Sequence, residues 1–384
     1  MNFELSEEQQ LLQRTVRDFA RKEVQPLAKE LDETGRFPLE TFRKAAALGL
    51  TGVAFPESEG GAGFDHVSTA IMIEEISRVC ASTGVILSVQ NSLCCEPLYR
   101  FGSDAQKKKF LQPFLRGEKI GCYALTEPQT GSDASAIETR AVRKGDRYVV
   151  NGSKAWITNG GVADAAIVYV KTDPAKGDKG ISALIIERGA PGVSGFRVGK
   201  EEKKLGIHAT ACVELWFDDC EVPIENRIGE ESQGYRIALS TLDGGRVGIA
   251  AQAIGIAQGA FDQALAYSQQ RRAFGHAIAE FQAIQFMLAD MATEIEAARC
   301  LVRQAAWKQD GGARFSREAS IAKLFASELA TRAAHKAMQI HGANGYSREF
   351  PVERMYRDAR VTEIYEGTSQ IQRLVIAASV LKSS

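Results

Sequence analysis

Arg147-Tyr-Val-Val-Asn151-Gly152-Ser153 is a short run of β-branched and aromatic residues closed by an Asn-Gly pair, the composition of a strand that ends in a tight turn. Three similar runs, Ala165 to Val170, Ile181 to Ile186 and Val213 to Phe217, fall between about Ile120 and Glu230, bounded by Gly, Pro, Asp and Asn. No long helical window separates them, so antiparallel pairing is expected in place of β-α-β crossovers. Helical spacing lies on both sides. From Ser6 to about Gly117 it shows in Leu11, Leu12, Val16, Phe19, Ala20 and again in Ile71, Ile73, Ile76, Val79, with breaks at Gly35, Pro38, Gly49, Pro56 to Gly63, and Gly102. It returns over Gly234 to about Gln270, Phe281 to Asp310, Arg317 to His341 and Ser369 to Leu381. Long helices with short joins imply an antiparallel bundle. The expected chain is mainly α with a central β domain, divided at 1–119, 120–231 and 232–384.

The 384 residues carry 47 Lys+Arg against 48 Asp+Glu, a net charge of -1. That balance argues against a nucleic-acid partner or a polybasic membrane binder, and any anionic ligand must be held by local groups. Seven scattered cysteines fit reduced thiols, and the adjacent Cys94-Cys95 reads as two small core residues. No C-x-x-C or H-x-x-x-H pattern supports a metal. The longest charge-free stretches, Val79 to Cys95 and Val247 to Phe261, fall short of a membrane span. Ser6 and Gln9 read as a capping box with Glu7 and Glu8 in the first turn. So acidic a start argues against a targeting peptide. The compartment expected is the bacterial cytoplasm, or the mitochondrial matrix for a mature eukaryotic chain.

No G-x-G-x-x-G follows a strand, no P-loop or G-x-S-x-G occurs, and Gly60-Gly61-Ala62-Gly63 reads as a plain turn. Three polar clusters remain. Tyr123-Ala-Leu-Thr-Glu-Pro-Gln-Thr-Gly-Ser132-Asp133 can approach the edge of a planar ligand or serve as a domain linker. Trp156-Ile-Thr158-Asn159-Gly160-Gly161 sets an indole beside a hydroxyl, suited to an aromatic ring system, or is a strand end. In Ile364-Tyr-Glu366-Gly-Thr-Ser-Gln370, a carboxylate beside apolar residues could be screened from water and act as a general base. The same glutamate could simply complement the dipole of the last helix.

Together with Leu242-Asp-Gly-Gly-Arg246, Arg271-Arg-Ala-Phe-Gly275, Gln339-Ile-His-Gly-Ala343 and Tyr356-Arg-Asp-Ala-Arg360, these clusters resemble the acyl-CoA dehydrogenase family, nearest its short-chain (butyryl-CoA) members. The resemblance runs from Leu5-Ser-Glu-Glu-Gln9 to Ile371-Gln-Arg-Leu374, essentially the whole chain. It implies an N-terminal helical domain, a small antiparallel β-barrel domain and a C-terminal four-helix bundle. It also implies FAD, held by Tyr123, Ala124, Leu125, Thr126 and Ser132, with Trp156, Ile157 and Thr158 along the isoalloxazine and Thr368 and Gln370 at the last helix. Arg271, Phe274, Gln282, Gln339, Ile340, His341, Gly342 and Ala343 match positions that reach the FAD of a neighbouring subunit. Ser132, Asp243, Gly244, Gly245, Arg246 and Gly367 match acyl-CoA contacts.

The implied reaction is α,β-dehydrogenation to a trans-2-enoyl-CoA, as in fatty acid β-oxidation. Glu366 takes the α proton while the β hydrogen leaves as hydride to flavin N5, and the thioester carbonyl is polarised by the FAD ribityl hydroxyl and the Glu366 N–H. A minority of the family carries its base where this chain has Gly245, which leaves Glu366 as the one candidate. Glutaryl-type enzymes carry an arginine in the segment matching Ser82 to Val89, and none is present, which favours a monocarboxylic substrate. Branched-chain, medium-chain and glutaryl-type dehydrogenases, an acyl-CoA oxidase and a non-enzymatic family member remain alternatives. Gln370, Ala343 and His341 depart from the usual Glu, Gly and apolar residue, and His341 reads as a subunit contact. Implied partners are electron-transfer flavoprotein as electron acceptor and further copies of the chain in a homotetramer.

Overall fold

A computed structural model of the protein describes residues 4–191 and 193–382. Its first part is helical: Glu7–Phe19 (α1), Ala28–Thr34 (α2), Leu39–Ala47 (α3), His66–Ser77 (α4), Ala81–Ser88 (α5), Glu96–Phe101 (α6), Asp104–Gln106 (α7) and Gln112–Leu115 (α8). The Ser6–Gln9 capping box opens α1. Asp65 caps α4 by accepting the Ser68 N–H at 2.7 Å. Nearly every residue of α4 and α5 is buried, as expected for helices apolar on all sides. A π-helical stretch, Val89–Cys95, continues α5 and buries Cys94 and Cys95 in the core. Gly60 to Gly63 is the plain turn expected, its Gly61 and Gly63 N–H groups returning to Pro56 and Phe55 carbonyls.

The middle part holds Gly121–Ala124 (β1), Arg140–Lys144 (β2), Arg147–Ile157 (β3), Ala165–Lys171 (β4), Ile181–Glu187 (β5), Phe196–Glu201 (β6), Val213–Pro223 (β7) and Arg227–Ile228 (β8). They form one eight-stranded sheet in the order β6-β7-β3-β2-β4-β5-β8, with β1 beside β4. Two expectations are corrected. The sheet is open, not a closed barrel, and it is mixed, because β1 pairs parallel with β4 and β2 meets β4 in parallel at one residue pair, Arg140 with Lys171. The β2–β3 hairpin lies between β1 and β4 in the chain and serves as the long connection that parallel neighbours need. Asn151-Gly152 is likewise not a turn. β3 runs straight through it with a bulge, where Gly152 at φ 144° lies against Thr139, and a Cβ there would stand 2.7 Å from the Thr139 Cα. The hairpin reverses instead at Gly145-Asp146.

β4 and β5 are buried on both faces. Ile167, Tyr169, Ala183 and Ile185 join the helical core, while Val168, Val170, Leu184 and Ile186 face Tyr148, Leu215 and Phe217 across the sheet's own interior. Their unbroken apolar runs follow from that double covering.

The last part contains Gly234–Gln270 (α9), a small hairpin of Arg272–Ala273 (β9) and His276–Ala277 (β10), Gln282–Asp310 (α10), Ser316–His341 (α11), Val352–Val361 (α12) and Ser369–Lys382 (α13). Helix α12 is additional to the four expected. Its apolar signal is brief, with Val352, Met355 and Ala359 buried in an otherwise charged segment. The glycines of the 37-residue α9 mark close packing. A Cβ on Gly255 would come 2.4 Å from the Glu74 carbonyl oxygen, and one on Gly259 2.2 Å from that of Arg78, so α9 lies nearly backbone to backbone on α4. No helix among the described residues is long and apolar enough to cross a membrane.

Candidate active site

The turn between α12 and α13 is held from several sides. Ser327 donates to the Thr362 carbonyl at 2.9 Å and Thr331 to Glu363 Oε1 at 2.6 Å. The Tyr365 hydroxyl bonds to the Gln252 side chain on α9. Beyond it, Glu366 and Gly367 take φ of 51° and 90°, a left-handed pair that for a glutamate costs roughly 1–3 kcal/mol and persists only where the surroundings impose it. They do so through the carbonyls. Gln372 Nε2 donates to Glu366 O at 3.2 Å and Gly367 O at 2.8 Å, and Lys323 Nζ donates to Gly367 O at 2.7 Å. The Glu366 N–H meets no acceptor among the described residues.

Glu366 Oε2 is shut off from solvent and has no hydrogen-bond partner among the described residues. It faces Gly245 on α9, where a Cβ would stand 2.0 Å away, with Leu93 packed on the same spot. Burial pushes the carboxyl up to about 7, opposed by the cations of Lys323 and Arg246. Arg246 donates to Asp243 Oδ1 at 2.7 Å, Ser316 bonds the other Asp243 oxygen, and Arg246 Nε is left buried and unpaired. Tyr123 and Tyr365 are both close enough to Glu366 for its charge to raise their phenols further, on top of burial.

The two β-domain clusters are fused. Ala155 donates to the Thr126 carbonyl at 2.9 Å. The fully buried Lys154 bonds Leu125 O at 3.1 Å and Glu127 Oε1 at 2.7 Å. Glu127 in turn accepts the backbone N–H groups of Glu138 and Thr139 at 2.6 and 3.0 Å. The segment from Tyr123 to Thr126 and the end of β3 at Trp156, Ile157 and Thr158 therefore lie side by side. Trp156 has φ 62° and an exposed indole. Asn159, buried, donates toward Gly121 O at 3.4 Å and Ile86 O at 3.5 Å, tying this corner to α5.

Tyr123 Oη, Arg246 Nε, Glu366 Oε2, Ser369 Oγ and Gln372 Oε1 are all buried without a hydrogen-bond partner among the described residues. Orphaned polar atoms in this number mark a place built for a polar ligand, and with the exposed indole they fit a planar cofactor carrying hydroxyls and phosphates. A second group stands apart. Arg271 caps the far end of α9, and from Gly245 to that end at Gln270 the helix rises roughly 37 Å, at about 1.5 Å per residue. Phe274 at the tip of the β9–β10 hairpin is 93% exposed, and Gln282, Gln339, Gly342 and Ala343 are also exposed. His341 is not on the surface as a subunit contact would be. It is buried in its own chain, stacked on Tyr267 at 4.2 Å, with Nδ1 2.8 Å from Ala337 O and its pKa lowered by burial. Ile340 is buried beside it.

The acyl-CoA dehydrogenase N-terminal, middle and C-terminal domains match residues 6–118, 122–220 and 232–381. The chain belongs to the acyl-CoA dehydrogenase family. A short-chain specific acyl-CoA dehydrogenase of Clostridium acetobutylicum is 50% identical over the full length of both chains. Butyryl-CoA dehydrogenase of Megasphaera elsdenii superposes with a TM-score of 0.97 at 46% identity, covering 99% of this chain and 100% of that one. A chain solved in work on the electron transferring flavoprotein of Acidaminococcus fermentans has a TM-score of 0.98 at 47% identity over the whole of both chains. PigA, described with FAD and proline, has a TM-score of 0.94 at 30% identity over the whole of both chains.

Several residues of this family member's site escaped sequence reasoning. Lys323, Lys154 and Gln252 act on the turn or the loop from elsewhere in the chain, Glu127 from within the loop and Gln372 from the start of α13. For Lys323 a signal existed: it interrupts the small buried residues Ala319, Ser320, Ala322, Ala326 and Ser327 of α11. A lysine on such a face must be paired inside the protein.

Proposed function

We propose that the protein is an FAD-dependent dehydrogenase of a short-chain, monocarboxylic acyl-CoA, with Glu366 as the base that removes the α proton. The observation that carries this reading is the Glu366 carboxylate oxygen, dry and unpartnered beside Gly245. An α C–H next to a thioester is too weak an acid for an ordinary solvated carboxylate. A carboxylate raised to about 7 suits the task near neutral pH. The Glu366 N–H is the protein's donor toward the thioester oxygen, where negative charge develops as the proton leaves, and such a donor supplies a few kcal/mol of transition-state stabilisation. When bound, FAD supplies the two-electron acceptor for the β hydrogen, and the product is a trans-2-enoyl-CoA.

Tyr123 to Thr126, Ser132, Trp156, Ile157, Thr158, Thr368 and Gln370 would hold the cofactor. Ser132, Asp243, Gly244, Gly245, Arg246 and Gly367 would line the path of the CoA thioester. Arg271, Phe274, Gln282, Gln339, Gly342 and Ala343 would reach the cofactor of a neighbouring copy in a homotetramer, with Ile340 and His341 buried behind them. The rise of roughly 37 Å from Gly245 to the end of α9 supports that assignment, since one chain could not bring Gly245 and Arg271 to the same flavin. Electron-transfer flavoprotein as acceptor is supported by the chain from the Acidaminococcus work. Free and mostly buried cysteines support a reducing compartment, the bacterial cytoplasm or the mitochondrial matrix. With domain limits of 1–119, 120–231 and 232–384, the site lies where all three parts meet.

The test is Glu366→Gln in the holoenzyme, titrated anaerobically with butanoyl-CoA. Cofactor and ligand binding should persist while α-proton abstraction falls by about 10² to 10⁴. Flavin bleaching at the wild-type rate would remove Glu366 from the role, and a higher kcat/KM for octanoyl-CoA than for butanoyl-CoA would overturn the short-chain reading.

A further inference from the structure

Lys323 takes part in no step described above, yet it sits beside the reacting centre. It projects from α11 with 0% exposure, and an ammonium in a dry interior costs several kcal/mol unless its surroundings use it. An apolar side chain of similar length would fill the same space without that penalty. Two things set Lys323 apart from a packing residue. Its Nζ donates at 2.7 Å to Gly367 O, the carbonyl that also accepts from Gln372, so both acceptor positions of that oxygen are filled and the peptide plane after the Glu366–Gly367 pair is fixed. And burial lowers its pKa to about 7, opposed first by the charge of Glu366, the largest of the charges acting on it.

We propose that Lys323 is a positioning residue for proton abstraction: it pins the Gly367 carbonyl, which keeps Glu366 in its left-handed conformation, and it sets a positive charge near the Glu366 carboxylate. This inference rests on Glu366 being the base.

The groups that face Glu366 are few. Lys323 approaches from α11, Arg246 from α9, the phenol of Tyr123 from β1 and that of Tyr365 from the same turn, while Leu93, after α5, packs against Gly245 beside it. Glu363, also on the turn, acts on Lys323 and bonds Thr331. Burial drives the carboxyl up, and Lys323 is the first opposing cause, ahead of Arg246. A cation beside a carboxylate favours its charged form, so removing the cation must raise the proton affinity of Glu366. In the step itself the Cα–H bond breaks, an O–H bond forms on Glu366, and the Lys323 proton stays where it is.

The test compares wild type, Lys323→Met, Lys323→Gln and Lys323→Arg as holoenzymes. Two quantities are read against pH: exchange of the α hydrogens of butanoyl-CoA in D2O, followed by mass spectrometry, and the anaerobic rate of flavin bleaching. Removing the charge should move the acid limb of both profiles upward by about 1 to 3 pH units. Gln retains a donor for Gly367 O without the charge, so it should show the shifted limb with a higher plateau than Met. Arg, which keeps the charge, should return the limb toward wild type. The proposal is overturned if Met and Gln keep the wild-type limb, or if Arg shifts as far as they do. If the Met protein does not retain its flavin, the Gln protein decides the same question. Glu366→Gln separates the two levels: if it still exchanges the α hydrogens, the assignment of the base fails, whereas an inactive Glu366→Gln with unshifted Lys323 variants removes only the role of the lysine.

Discussion

Replacing Gly245 by alanine sets two effects against each other at one position. In the interior of α9 the change favours the folded helix by about 0.5–1 kcal/mol, because alanine loses less backbone freedom than glycine. At the reacting centre it is harmful. The added methyl would stand 2.0 Å from Glu366 Oε2 and 3.0 Å from both Glu366 Cδ and Leu93 Cδ2. Ordinary contact begins at 3.4 Å, so the oxygen must retreat by about 1.4 Å. The backbone of Glu366 cannot follow, since its carbonyl and that of Gly367 are held by Gln372 and Lys323. The side chain must therefore turn away from its position, and a displacement near 1 Å at a reacting group costs about 10²-fold in rate. The assay is α-hydrogen exchange of butanoyl-CoA in D2O beside a thermal melt. We expect exchange to fall by about two orders of magnitude with the melting temperature unchanged or higher. Gly244→Ala is the control for the melt on the same helix, because its Cβ would meet only the movable end of Gln309 at 3.2 Å, so it should show the helix gain alone. A Gly245→Ala protein that exchanges at the wild-type rate would refute the geometry assigned to Glu366.

Other outcomes follow from the same contacts. Because the base works as a carboxylate and burial raises Glu366 to about 7, kcat/KM should climb with pH and level off above that value, and a decline over the same interval would contradict the assignment. The raised carboxyl also means that folding takes up a proton, so this group's contribution to stability is greatest below 4.5 and is lost as pH rises through about 7; Glu366→Gln should flatten that part of a stability-versus-pH curve. Lys154→Met strands the buried Glu127 and should destabilise by about 3–5 kcal/mol, with part of the loss recovered in the Lys154→Met, Glu127→Gln double variant; additive losses in a double-mutant cycle would show the pair uncoupled. Gly255→Ala forces a methyl within 2.4 Å of the Glu74 carbonyl oxygen, and the overpacking, about 1–3 kcal/mol, should outweigh the helix gain and lower the melting temperature.

The share of this molecule that sequence reading reaches is set by how local the cause is. Helix α9 was legible to its ends because a long apolar period depends only on neighbours a few residues apart. Ser6 with Gln9 was legible for the same reason. Asn151-Gly152 misled, since a pair that often makes a turn is here absorbed as a bulge, a result decided by Thr139 lying across it. The open, mixed sheet could not be read from strand composition, because whether β1 runs parallel to β4 depends on how the helical part delivers it. Among cysteines and histidines the pattern repeats: Cys94 and Cys95 as core residues follow from their apolar neighbourhood, while the burial of His341 required Tyr267 and Phe350 to close over it.

At the candidate site the division is sharper. The sequence by itself determined which residue types are on hand: one glutamate beside a Gly-Thr-Ser turn, an indole next to a hydroxyl, a glycine where some relatives of the family carry an acid, and a three-part order of helices, strands and helices. It left open whether Glu366 is a base or a helix-terminal charge. Only the tertiary structure decided that its Oε2 is dry, that Gly245 leaves room for it, and that Lys323, Arg246 and Tyr123 act on it from three different elements. The physical reason is that proton affinity and backbone strain are set by desolvation and by charges and carbonyl partners within a few ångströms in space, and apart from Tyr365 and Gln372 those partners are far from Glu366 in the chain.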